Sequence, residues 1–281
     1  MSTQITLVHC QTHSYIPMKS AFIILSFISL LCCRKSDVER QQRQDDCSIL
    51  SYATDTTSSA YHYNFKYDGK RLIEIRVTHL DWFGGKVEDT TIISYNPDNK
   101  PSSMSNASDR SQTTKFYYGG DGNLTSKVSY SKMPFPTLKI DFEWKDGKIS
   151  RIKRSDYEIK GSPDKIENYV ERLIAVLDLE YNEKGNVSYV KQTSYPDIMK
   201  EIRYEYDSHP NPHKGWYELQ GGNNFESMYL LSRNNVTRAS YLFVKEQYSE
   251  VHDTPYQYNE KGYPLNGAFN NRMLDIQYQC W

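Results

Sequence analysis

Apolar and polar residues alternate one for one over much of this chain. Leu138, Ile140, Phe142 and Trp144 interleave with Lys139, Asp141, Glu143 and Lys145. Tyr61, Tyr63, Phe65 and Tyr67 follow the same rhythm, as do Ile202, Tyr204 and Tyr206, and finally Leu274, Ile276, Tyr278 and Cys280. A period of two puts each apolar set on one face of a β-strand. Several runs end in Asp68-Gly69, Asp121-Gly122, Asp146-Gly147 or Lys184-Gly185, pairs that tolerate positive φ. Each such run is expected to turn back on itself as a hairpin.

The hairpin unit recurs. It reads FKYDGKRLIEI from Phe65, ISYNPDNKPSSM from Ile93, FYYGGDGNLTSKV from Phe116 and FEWKDGKISRI from Phe142, then LEYNEKGNVSYV from Leu179, YEYDSHPNP from Tyr204 and YQYNEKGYPL from Tyr256. The second aromatic of each unit falls at Tyr67, Tyr95, Tyr118, Trp144, Tyr181, Tyr206 and Tyr258, at intervals of 28, 23, 26, 37, 25 and 52. The last interval is about double, which places a degenerate copy near Leu231. Seven or eight units predict an all-β fold, an antiparallel meander of about 14–16 short strands. Parallel strands would need long crossovers for which the spacing has no room. The interval of 37 holds Ser162-Pro163-Asp164 and a stripe of Ile166, Tyr169, Val170, Leu173 and Ile174, which predicts one short helix near 163–172.

The N-terminal stretch is different. Residues 21–31 (AFIILSFISLL) follow Met18-Lys19 and precede Cys32-Cys33 and a polar run. This eleven-residue run, apolar but for Ser26 and Ser29, is too short for a spanning helix and suits the core of a secretory signal. Leu30-Leu31-Cys32 before Cys33 resembles the lipobox of bacterial lipoproteins, which implies a signal peptide at 18–32 and a lipid on Cys33. Plain secretion, or a hydrophobic N-terminal strand, is the alternative. Residues 1–17 read as a spurious extension upstream of Met18. Residues 33–46, almost without aliphatics, read as a polar tether, and 47–281 as a single hairpin-repeat domain.

Removal of the leader and lipidation of Cys33 leave Cys47 and Cys280, at the two ends of the folded region. In an oxidising compartment they form a disulfide or stand as two buried thiols. A bridge would hold the first and last strands together and curl the sheet into a closed or nearly closed barrel.

Composition narrows the function. There are 34 Lys and Arg against 35 Asp and Glu, so no excess of positive charge is available for nucleic acid. Leu, Ile, Val and Phe total 59 of 281, near the floor for a folded domain, while Tyr alone numbers 24. Such a chain covers wide half-wet surfaces better than it fills a thick dry core.

The Y-[ND]-x-x-G-N turns are similar to the YD repeats of RHS proteins. Lipobox, tether and tyrosine-rich hairpins together resemble a bacterial lipoprotein family of unknown function with a porin-like fold. That resemblance implies a place in the cell envelope, at the outer membrane on its periplasmic or surface face, and brings no catalytic residues. A true pore is not expected, because the alternating runs of five to eight residues are short for lipid-facing strands and Gln279, Gln277 and Asp275 break the apolar alternation behind Trp281.

Catalytic motifs are lacking: no G-x-S-x-G, H-E-x-x-H, P-loop or paired C-x-x-C occurs. His209 and His213 flank a Pro-rich turn that reads as solvated rather than as a metal site. Acidic pairs such as Glu88-Asp89 and Glu201 with Glu205 read as the wet face of strands. No cofactor and no metal is expected. The remaining candidates are loop aromatics: Trp82 and Phe83, Phe135, and Trp216 with Tyr217. They either touch a ligand or fold back and plug the barrel mouth. The expectation is a non-catalytic module, tethered to the membrane, that binds a glycan, peptide or partner protein. The rivals are a structural component of an envelope complex and a hydrolase with an unrecognised site.

Overall fold

The structure is a computed structural model. It describes residues 47–267 and 272–280, apart from 56–60, 81–83, 133, 197, 215–218, 220–227 and 229. The expected leader, Cys33 and the tether lie outside the described residues.

Among the described residues seventeen strands follow one another. The first eight are β1 (Cys47–Asp55), β2 (Tyr61–Asp68), β3 (Arg71–Leu80), β4 (Lys86–Tyr95), β5 (Pro101–Asn106), β6 (Thr113–Tyr118), β7 (Leu124–Lys132) and β8 (Phe135–Lys145). Then come β9 (Lys148–Ile159), β10 (Tyr169–Tyr181), β11 (Val187–Ser194), β12 (Ile198–Pro210), β13 (Asn234–Phe243), β14 (Tyr248–Asp253), β15 (Gln257–Tyr258), β16 (Pro264–Asn266) and β17 (Arg272–Cys280). Strands β1 to β14 form an antiparallel meander, with β17 added beside β1, so that fifteen strands share one sheet. Strands β15 and β16 pair only with each other in the main-chain hydrogen-bond pattern.

Two expectations are corrected. No helix occupies 163–172: a three-residue 3₁₀ turn (Ile166–Asn168) leads directly into β10. The stripe that suggested a helix has nothing to bury against, since Ile166, Val170 and Leu173 are all exposed. Pairing with β9, from Tyr169 opposite Ile159 onward, satisfies the backbone instead. Nor are the strands uniformly short, since β9 spans 12 residues and β10 and β12 span 13 each. Length therefore does not argue against a membrane pore.

The turns follow from side-chain chemistry. Asn182 Oδ1 accepts the N–H groups of Lys184 and Asn186, and Asn259 Oδ1 accepts those of Lys261 and Tyr263. Gly185 and Gly262 close the same loops at φ 81° and 79°, which a β-carbon would strain.

Each hairpin carries one further device. The pairing register slips by one residue between the repeat aromatic and the residue before it, leaving an extra residue on the returning strand. The aromatics face fixed partners: Tyr67 opposite Leu72, Tyr95 opposite Pro101, Tyr118 opposite Leu124 and Trp144 opposite Ile149. Tyr181 likewise faces Val187, Tyr206 faces Val236 and Tyr258 faces Pro264. An eighth pair, Tyr278 opposite Ile49, joins the last described strand to the first and follows the same rule. Several bulged residues are Ser or Thr whose hydroxyl donates to the carbonyl across the hairpin, as in Thr125 to Tyr117 and Ser150 to Glu143. Bulges bend and twist the strand that carries them. Repeated at the same end of each hairpin, they curl the sheet in one sense.

The aromatics themselves form a ladder. Each donates to the carbonyl of the residue that faces the preceding aromatic: Tyr95 to Leu72, Tyr118 to Pro101, Trp144 Nε1 to Leu124, Tyr181 to Ile149 and Tyr206 to Val187. Tyr278 donates to Pro264, which faces Tyr258, and Tyr67 donates to Ile49, which faces Tyr278. The succession thus continues from β16 through β17 into β1 and β2. One rung departs, because Tyr258 donates to the Asp207 carboxylate instead of a carbonyl.

The core lies on one face of the sheet. One cluster joins Phe116 on β6 to Tyr241 on β13 by way of Ile140, Leu177 and Ile202. A second joins Ile49, Phe65, Leu72, Ile93 and Ile276, and Met104 and Leu219 pack against both. A single sheet can bury one face without a second layer only by curling around it. The connection from β12 to β13 contributes to this core, with Met228 and Leu230 fully buried. That connection accounts for the doubled interval after Tyr206. No copy of the unit is missing near Leu231. The turn of the Tyr206 hairpin is instead expanded into residues 211–233.

Candidate functional site

Of the loop aromatics, Trp82, Phe83, Trp216 and Tyr217 lie outside the described residues. Phe135 opens β8, half-buried, with its ring stacked on Tyr169 at 5.2 Å between centroids. Tyr169 is fixed in turn by its hydroxyl, which donates to Pro163 O at 3.1 Å.

Phe135 and Tyr169 belong to a larger patch on the face of β6 to β10 opposite the core. Phe116, Tyr117 and Tyr118 are consecutive; Phe116 and Tyr118 join the core, so the pleat turns Tyr117 outward, 42% exposed. The Tyr117 and Tyr130 hydroxyls approach to 3.4 Å, and Lys115 Nζ lies 5.9 Å from the Tyr130 ring centre. Tyr157 on β9 faces Glu171 on β10, and the next residue on its face, Ile159, faces Tyr169. Lys139 stands among them, its ammonium 3.1 Å from Asp141 and 3.1 Å from Glu171. Burial, then the Tyr117 hydroxyl, pushes the Tyr130 phenol up to about 12. Burial followed by the Glu171 charge also raises Tyr157. Burial works against the Lys139 ammonium, but its hydrogen bonds to Glu171 and Asp141 outweigh that and raise it. The result is a row of phenols with paired charges in its middle and exposed Ile159 and Leu173 on its last two strands.

Elsewhere the same face is charged. Arg151 pairs with Asp178 at 2.6 Å, Lys153 with Glu143 at 2.6 Å and Arg238 with Asp253 at 2.6 Å. A shallow groove of about 390 Å³ on β2 to β4 is lined by Lys66, Glu74, Arg76, Thr78, Lys86 and Glu88. Glu74 and Glu88 both bond to Arg76 there, in an open setting rather than the apolar pocket a general acid requires.

The His209–His213 turn is not the solvated loop expected. His213 is buried with its ring edge toward Tyr52, 6.2 Å between centroids, and burial pushes its imidazole down to about 4. His209 instead stacks on Tyr258 at 3.9 Å, with Nδ1 3.7 Å from Asp207. Asn235 donates to Asp207 as well. This polar knot fixes the β15–β16 hairpin against β12 and β13, while Tyr278 holds its other side. Among the described residues no cluster of three or more His, Cys, Asp or Glu could hold a metal.

The core face also holds cations that alternation did not announce. Lys127 and Lys200 are buried, and Lys200 Nζ lies 4.3 Å and 4.8 Å from the ring centres of Tyr241 and Phe243.

No protein-family model matches this chain, and no curated protein matches its sequence. Solved structures do resemble it. A porin-like protein from Bacteroides uniformis aligns with a TM-score of 0.58 and 11% identity, over 83% of this chain and 97% of that one. A porin-like protein from Bacteroides vulgatus aligns with a TM-score of 0.51 and 12% identity, over 83% and 99%. At such identity the likeness concerns the fold.

Proposed function

We propose that this chain is a lipoprotein of the bacterial cell envelope, anchored through Cys33, whose curled sheet is a non-catalytic binding module. The leader and the Leu-Leu-Cys-Cys sequence support the address, and the porin-like fold of the Bacteroides proteins is in keeping with it.

In this reading the wall is a closed or nearly closed barrel of eight hairpins. The strand ladder leaves β15–β16 outside the large sheet, but a main-chain bond on one side and a side chain on the other bridge the gap. Thr254 N donates to Thr237 O, so the chain stays beside β13 where Pro255 interrupts the strand. Tyr278 reaches Pro264 on the other side, and the Tyr263 and Tyr278 rings lie 5.2 Å apart. The barrel stands off the bilayer. A spanning barrel shows lipid an apolar band, whereas here Arg151, Asp178, Lys139 and Glu171 occupy the outward face.

The observation that carries the binding function is the row Tyr117, Tyr130, Tyr157, Tyr169 and Phe135, exposed or half-exposed on an otherwise charged face. Rings with polar tips outside the core suit recognition. A second reading, a component docking through a sheet edge, has support in β14, which pairs only with β13 and exposes Tyr248 and Val251.

Labelling with radioactive palmitate, with and without Cys33→Ala, tests the anchor: label should enter the parent chain alone. For the module, ligand screening should return binding that Tyr130→Ala and Tyr157→Ala weaken. Ligands indifferent to both substitutions would refute the assignment.

A further inference from the structure

We propose that the row of phenols on β6 to β10 is a subsite for an uncharged carbohydrate chain, with the Phe135–Tyr169 pair as its stacking platform; this rests on the binding-module reading above.

Three features of the patch select that ligand class. First, its charges cancel: Lys115 and Lys139 stand against Asp141 and Glu171, and Lys139 touches both acids at 3.1 Å. An anionic polymer would need unpaired cations and a basic one unpaired acids, so a neutral ligand is the complement. Second, flat rings alternate with hydrogen-bonding groups. Tyr117 and Tyr130 bring their hydroxyls within 3.4 Å of each other, and Tyr157 adds a third phenol beside Glu171. A pyranose offers this pattern in reverse, with apolar C–H faces and a belt of hydroxyls. A protein hot spot would instead want a dry apolar centre. Here the exposed apolar residues Ile159 and Leu173 lie on the last two strands, opposite Tyr169 and Ser155, while the polar tips and paired charges occupy the strands before them. Third, the row crosses five adjacent strands. At about 4.8 Å between neighbours it extends roughly 19 Å, enough for a short oligosaccharide.

The ring pair adds rigidity. Phe135 is held face to face with Tyr169, and Tyr169 is tied to Pro163, so little side-chain freedom is lost when a sugar settles on them.

The test uses the full chain in detergent, titrated by calorimetry with neutral gluco-, xylo-, manno- and chito-oligosaccharides, sulfated oligosaccharides and a peptide library. The expected result is saturable binding of at least one neutral oligosaccharide, little changed between 50 and 500 mM salt. Tyr157→Ala and Phe135→Ala should each weaken it at least tenfold, and Tyr157→Phe should weaken it less, each variant keeping the parent circular dichroism. Peptide or sulfated-glycan binding that depends on these residues, without neutral-glycan binding, overturns the carbohydrate inference and leaves the module standing. Binding of any ligand that ignores all three variants overturns both, as does an absence of binding across the whole panel.

Discussion

Cys47 and Cys280 lie directly opposite each other at the end of the β1–β17 pair, bonded through their sulfurs across 233 residues of sequence. Two positions further in, Tyr278 faces Ile49 with the bulge that marks all the other hairpins. In those hairpins a turn or a longer connection follows the aromatic. Here the first and last described strands meet, and the disulfide occupies the place of the turn.

Reduction, or Cys280→Ser, should therefore free the terminal pair. The expected cost is about 2 to 5 kcal/mol, since the bridge closes a very long loop in the unfolded chain. Urea unfolding with and without reductant measures it, and non-reducing peptide mapping should recover the two cysteines in one linked fragment. Equal midpoints in both conditions would show that the bridge adds nothing.

The phenol ladder predicts alkaline behaviour. Burial raises Tyr67 and Tyr181 to about 12 and lifts Tyr206 and Tyr278 further. The unfolded chain ionises these groups near 10, so their contribution is complete below pH 10 and is lost as pH rises through the folded values. Absorbance at 295 nm should resolve an exposed class titrating near 10 and a second class appearing only with unfolding. One smooth transition for all the tyrosines would contradict the ladder.

Single rungs should be measurable. Tyr181→Phe keeps the ring and leaves Ile149 O without its donor, a loss of about 1 to 3 kcal/mol. Tyr117→Phe, on the exposed face, should cost under about 0.5 kcal/mol. Urea denaturation of both variants decides, and equal effects would show that the ladder bonds are not special.

His213 predicts acid sensitivity. Its imidazole is held neutral to about pH 4 by burial, whereas the unfolded residue takes its proton near 6.5. Stability should fall as pH drops from 6.5 toward 4, by up to about 3 kcal/mol, and then level for this group. His213→Gln should flatten that window. Exposed Asp109, Asp156 and Asp253, held low by hydrogen bonds from Ser111, Arg172 and Arg238 respectively, act only below the ordinary carboxylate range. An unchanged slope between pH 6.5 and 4 in His213→Gln would refute the assignment.

Much of this fold is legible before any coordinates, because alternation and Asn/Asp-Gly turns act locally. What escapes notice depends on partners far along the chain. Tyr278 is hidden as the eighth repeat aromatic because its partner Ile49 lies on the first described strand, far away in sequence. The stripe at Ile166, Val170 and Leu173 imitates a helix until β9 is seen beside it. The interval after Tyr206 looks like a lost copy, since nothing in residues 211–233 announces that Met228 and Leu230 enter the core. The outer patch had a usable signal: in a strand, Phe116-Tyr117-Tyr118 cannot all face inward, so period two already turns Tyr117 out. Tyr157 follows by the same alternation from Ile152, whereas Tyr169 gave no such sign, because its facing depends on the bulge between Leu173 and Ala175.

The proposed closure of the eight hairpins into a barrel is tested most directly at the seam between β16 and β17. Nitroxides placed at Leu265→Cys and Gln277→Cys, with Cys10, Cys32 and Cys33 replaced by Ser and the native bridge kept, report that distance by continuous-wave EPR. Adjacent strands lie about 5 Å apart, so the account predicts strong dipolar broadening that urea abolishes. Sharp, unbroadened lines from the folded protein would mean the wall is open and the ladder does not close.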